Sequence, residues 1–127
     1  MATKDKKRKP MKQVTVKVDP SLNLEINQAI EEAEALGVFA FSSLSDFYRA
    51  AWTDYMKGLP LAPKDNGART GKINLFMTEI QRNKWDQLPA RKRSIVMERA
   101  ARNYLKMRFN RRIDYARTKA AAQAEEF

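Results

Sequence analysis

Two stretches decide the fold of this chain: KQVTVKVDP, residues 12–20, and KINLFMT, residues 72–78. In the first, Val14, Val16 and Val18 alternate with Gln13, Thr15 and Lys17; in the second, Ile73, Leu75 and Met77 alternate with Lys72, Asn74 and Phe76. A period of two puts each apolar set on one face of a strand and each polar set on the other. No hairpin signal such as Asn-Gly follows the first stretch within reach. A strand without a neighbour leaves a row of unpaired N–H and C=O groups, so the second stretch is the partner the first one lacks.

Helical patterns follow each strand. Asp19-Pro20 is an N-cap with proline at the first helical position, and Leu22, Ile26, Ala29, Ile30, Ala33 and Leu36 then recur at helical spacing as far as Gly37, a C-terminal stop. After VFAF, either Ser42 or Ser43 can cap a second helix carrying Leu44, Phe47, Tyr48, Ala51, Trp52, Tyr55 and Met56. Residues 57–71, KGLPLAPKDNGARTG, have turn composition and no periodicity, which makes them a linker. GARTGK at its end, residues 67–72, is one residue short of a phosphate-binding loop and has Ile73 where a magnesium-binding hydroxyl belongs. Beyond the second strand, Thr78 and Gln81 form a capping-box signature for a short helix with Ile80, Trp85 and Leu88 facing the core, up to Pro89. A longer helix then carries Val96, Met97, Ala100, Ala101, Tyr104, Leu105 and Phe109, and continues through Ile113 and Ala116. Trp52, Tyr55, Trp85 and Tyr104 could stack nucleic-acid bases, but their helical register assigns them to the core.

The chain has 127 residues, enough for one modest core, and carries a net charge of +10. That excess points to a polyanion, nucleic acid before membrane. Residues 1–12 hold six Lys/Arg against one Asp, residues 91–119 hold eleven against two acids, and the rest is slightly acidic. Without cysteine or histidine there is no disulfide, no thiolate or imidazole zinc site and no imidazole base, and the carboxylates are scattered over helical segments. The expectation is a protein that is not an enzyme and needs no cofactor or metal. No run is long enough to span a membrane, and residues 1–10 lack the apolar core of a signal peptide, so the expected location is cytoplasmic, on the nucleoid. KKRKP, residues 6–10, also has the composition of a nuclear import signal.

The order strand, helix, helix occurs twice, and AAWTDYM from Ala50 aligns with RAARNYL from Arg99. The offset between the halves falls from 59 at the strands to 49 here, so the first half has the longer first helix or turn. Over residues 12–109 this pattern resembles the ribbon-helix-helix family of DNA-binding proteins, the group of the Arc and MetJ repressors. SLSDFYRAA fits the family's S-x-S-E-x-I-R-x-A pattern through Ser43, Ser45, Asp46, Tyr48, Arg49 and Ala51. In the second half, KRSIVMERA keeps Ser94, Met97 and Ala100 but has Lys92, Ile95 and Glu98 in place of the first serine, the acid and the arginine.

The resemblance implies a mainly α fold with one antiparallel β-ribbon, a tandem single-chain pseudo-dimer similar to TraY-type members. Its parts are a basic tail (1–11), a first unit (12–57), a linker (58–71), a second unit (72–109) and a helical extension (110–127). Residues 13–18 would pair with 72–77, and Gln13, Thr15, Lys17, Lys72, Asn74 and Phe76 would face DNA bases. The second helix of each unit would offer phosphates its free N–H groups, at Ser43, Leu44 and Ser45 and at Arg91, Lys92, Arg93 and Ser94. The implied function is a repressor that inserts its ribbon in the major groove of double-stranded DNA. The alternatives are a conjugative-transfer or plasmid-partition accessory protein that recruits a partner through its last helix, and an antitoxin. Chains would bind side by side on direct repeats about one helical turn apart.

Overall fold

The computed structural model describes residues 12–38, 41–58, 61–62 and 69–125. The tail with its KKRKP motif and most of the linker lie outside the described residues. In chain order the elements are β1 (Lys12–Val18), α1 (Pro20–Ala35), α2 (Leu44–Met56), β2 (Gly71–Met77), α3 (Glu79–Gln87), α4 (Ala90–Tyr104), a π-helical turn (Leu105–Phe109) and α5 (Asn110–Glu125). The fold is mainly helical with one two-stranded antiparallel sheet. No helix among the described residues is long and apolar enough to cross a membrane.

The strands pair with Thr15 opposite Asn74, Val16 opposite Ile73 and Lys17 opposite Lys72. Alternation does the rest. Val14, Val16, Val18, Ile73, Leu75 and Met77 are buried, and every described residue between them is exposed. The second strand begins at Gly71, one residue before the expected boundary. A Cβ there would lie 3.2 Å from the Val18 carbonyl oxygen, so the strand end approaches β1 more closely than a side chain comfortably allows.

The helix ends follow the capping chemistry of their sequences. Asp19 accepts a hydrogen bond from the Ser21 N–H at 2.9 Å, and Thr78 and Gln81 close a reciprocal capping box. Gly37, at φ 72°, ends α1, with the Val38 N–H bonded to the Ala33 carbonyl and the Gly37 N–H to that of Glu34. The difference between the halves is where the offset places it: α1 has sixteen residues and α3 nine.

One expected core residue is corrected. Ile80 is 71% exposed. It stands five residues before Trp85, nearly one and a half turns, and so lies round the helix from the face that Trp85 buries. Trp85 packs edge-to-face on Trp52, whose indole N–H donates to the Gln81 carbonyl at 3.0 Å. Trp52 and Trp85 are buried, and Tyr55 and Tyr104 pack against the same core.

The last helical rod follows from a spacing. Met97, Ala101, Leu105, Phe109 and Ile113 are buried at intervals of four, whereas an α-helix repeats every 3.6 residues. Their stripe would drift round a regular helix. The wider π-helical turn at Leu105–Phe109 takes up the drift and keeps Phe109 and Ile113 against the core.

A two-stranded sheet has two free edges, and here each is covered by a helix start. On the β2 edge, the Ser45 hydroxyl of α2 donates to the Asn74 carbonyl at 3.1 Å and Arg49 to the Phe76 carbonyl at 3.2 Å. On the β1 edge, Ser94 of α4 accepts from the Lys17 N–H at 3.0 Å, and Glu98 accepts from the Asp19 N–H at 2.9 Å. Glu98 is buried, with Arg69 at 3.6 Å and Arg102 at 3.9 Å; Arg102 also lies 3.6 Å from Asp19. This cluster ties the start of α1 to the middle of α4. Replacing Glu98 by alanine leaves the Asp19 N–H without its acceptor and removes the buried carboxylate beside Arg69 and Arg102, and is expected to cost about 3–5 kcal/mol. Glu98→Gln keeps an oxygen for the N–H and costs less. Urea unfolding of the two variants checks the order.

Candidate nucleic-acid interface

The solvent face of the ribbon carries Gln13, Thr15 and Lys17 from β1 and Lys72, Asn74 and Phe76 from β2, all exposed. The pairing brings all six together in three cross-strand rows: Gln13 with Phe76, Thr15 with Asn74, Lys17 with Lys72. The helices take backbone groups of Lys17, Asn74 and Phe76, so these positions turn their backbone away from the partner strand. Their rows are the type in which opposed side chains stand closest. Phe76 is 50% exposed and belongs to this outer face, not to the core.

Each row has its own chemistry. The Thr15 hydroxyl donates to the Asn74 side-chain oxygen at 2.9 Å, which orients the amide and leaves its NH₂ free to donate outward. Lys17 and Lys72 place two like charges directly opposite each other, and none of the described strand residues on this face is acidic. Beside Lys17, a cleft of about 480 Å³ runs to the start of α4, lined by Thr15, Lys17, Arg69, Arg91 and Ser94 among others.

The starts of α2 and α4 differ. At α2, Ser43 caps the Asp46 N–H at 3.3 Å, Leu44 packs on the core and Ser45 is bonded to Asn74. Asp46 stands in the first turn and accepts from Ser42 and Arg49. An anion arriving there would meet a carboxylate. At α4 the cap is Pro89, which makes no side-chain bond, and no acid lies in the first turn. Arg91 and Lys92 are exposed. Arg93 is turned back to close α3, donating to the Leu88 and Asp86 carbonyls at 3.0 and 3.2 Å, and Ser94 is bonded to Lys17. Of the residues expected to meet phosphate, Arg91 and Lys92 therefore keep charged ends that no ion pair occupies among the described residues, and Arg69 of the linker lines the same cleft while it pairs with Glu98. Composition alone gives no reason to single out Arg69; its place depends on where the linker returns.

Comparison with protein-family models, with curated proteins and with solved structures finds no match to this chain.

Two expectations follow. The Ser21 backbone N–H and hydroxyl, with Arg102 beside them, hold the Asp19 carboxyl below its ordinary 3.8. The Ser42 hydroxyl, then Arg49 and Ser43, do the same for Asp46. A carboxyl depressed in the folded state contributes stability that is complete above its ordinary value and is lost as pH falls through the folded one. The urea midpoint is therefore expected to hold to about pH 4 and decline below it, and Asp46→Asn to flatten that decline. Separately, Lys72→Glu replaces a repulsive row by an attractive one and is expected to stabilise the free protein by about 0.2–1 kcal/mol, read as a higher thermal midpoint.

Proposed function

We propose that this protein binds double-stranded DNA sequence-specifically, with β1 and β2 inserted together in the major groove, and that it represses transcription by occupying a promoter. The observation that carries the reading is the ribbon's outer face: hydrogen-bonding and cationic side chains, no acid among the described residues of the two strands, and two lysines held opposite each other. That repulsion is a cost in the free protein and an advantage beside a polyanion. A two-stranded ribbon also fits the major groove, which is about 12 Å wide.

On this reading the repeated strand-helix-helix order is a tandem ribbon-helix-helix pair folded as an intramolecular pseudo-dimer. The crossed packing supports it, with α2 on the edge of β2 and α4 on the edge of β1. Gln13 and the pre-oriented Asn74 amide suit adenine, Lys17 and Lys72 suit guanine, and Thr15 and Phe76 can touch a thymine methyl. Arg91 and Lys92, with Arg69 beside them, hold the backbone at one end only. The two strands present different side chains, so the site read by one chain is not a palindrome.

Selection of duplexes from a random pool supplies the test sequence. Gln13→Ala or Asn74→Ala is expected to cost about 1–3 kcal/mol on the selected duplex and little on random duplex, whereas Lys92→Ala weakens both and lowers the salt slope by about one. Equal losses on all duplexes for Gln13→Ala, or RNA outcompeting duplex DNA at equal salt, would overturn the reading.

A further inference from the structure

Helix α5 leaves a groove of about 560 Å³ against the end of α1. Leu36 and Val38, both half-buried, contribute its apolar part, and Tyr115, 71% exposed, stands on the α5 side. Arg111, Arg112 and Lys119 line the same side, and none of them forms an ion pair among the described residues.

The residues that lead into this groove have the opposite sign. The last five positions of α1 hold Glu31, Glu32 and Glu34, with no basic residue in the last turn. Carboxylates there face the negative end of the helix dipole, so each calls for a cation. Arg117 supplies one to Glu32. Glu31 and Glu34 are exposed, and neither forms an ion pair among the described residues.

We propose that two copies of this chain associate through this surface. The acidic end of α1 of one copy lies along the basic groove of the other, with Glu31 and Glu34 facing Arg111, Arg112 and Lys119 and with Tyr115 covered. An unrelated acidic segment would fill the groove but leave the two glutamates as they are; a second copy answers both. Because the acidic end and the groove adjoin, one patch carries both halves of the contact. Such a patch is self-complementary and closes as a two-fold dimer. The association itself does not depend on DNA. Where it rests on the DNA reading, it relates the two ribbons by a two-fold, so paired sites run as inverted repeats and not as the direct repeats expected from sequence alone.

Sedimentation equilibrium of the full chain without DNA tests the dimer separately from DNA binding. The expected result is a monomer–dimer equilibrium that stops at two and weakens as salt is raised. Glu31→Lys with Glu34→Lys, and separately Arg111→Glu with Arg112→Glu, are each expected to weaken association about 10- to 100-fold. An equimolar mixture of the two variants is expected to restore a one-to-one dimer, since each then meets its opposite charge. Circular dichroism and thermal melting check that both variants are folded, and Lys119→Glu provides a milder test of the groove. A chain that stays monomeric at low salt, a dimer that survives both charge reversals, or a mixture that stays monomeric would overturn the proposal.

Discussion

Thr15 and Asn74 are 59 residues apart and hydrogen-bonded across the ribbon, and the rest of the molecule depends on the pairing they represent. Two strands alone are marginal in water, because each keeps one unpaired edge and the pair buries only one face. The helices remove both defects. Their apolar stripes cover the Val14–Val18 and Ile73–Met77 face, and the starts of α2 and α4 supply side chains to the edges. The second face is left to solvent, with all the polar character that the first excludes.

The ribbon, its register parity and the helix starts were legible because each rests on local chemistry: a period of two, a capping residue, a glycine after the last turn. Glu98 shows where local reading stops. Against the pattern of the first half it stands as a departure, since Arg49 occupies the corresponding place. In the fold the two residues do the same work in opposite senses. Arg49 donates to a carbonyl at Phe76, and Glu98 accepts from the N–H of Asp19. Which backbone group an edge turns toward a helix depends on the register of both strands, and no single stretch of sequence contains that. Ile80 failed for a simpler reason, the assumption that every apolar residue in a short helix lies on one face.

The outer face was legible from alternation alone, while the environment of its basic end was not. Arg91, Lys92 and Arg93 look alike in sequence. One carbonyl at Leu88 and another at Asp86 make Arg93 a closing residue for α3. Asp46, which helps α2 start, makes that start a poor anion site, so the two ends of the ribbon are unequal. The groove along α5 escaped reading altogether, because its walls are set by a π-helical turn that lets residues at intervals of four stay buried.

The long separation of the paired strands also bears on synthesis. A ribosome adds about 5–20 residues per second, so the 59 residues from Val16 to Asn74 take about 3–12 s to make. Throughout that interval the nascent chain exposes the three valines of β1 and both edges of an unpaired strand. The pairing that stabilises the finished protein is thus its most exposed feature before completion. Slow translation through the second half would lengthen the time in which neighbouring nascent chains can pair strand to strand in its place.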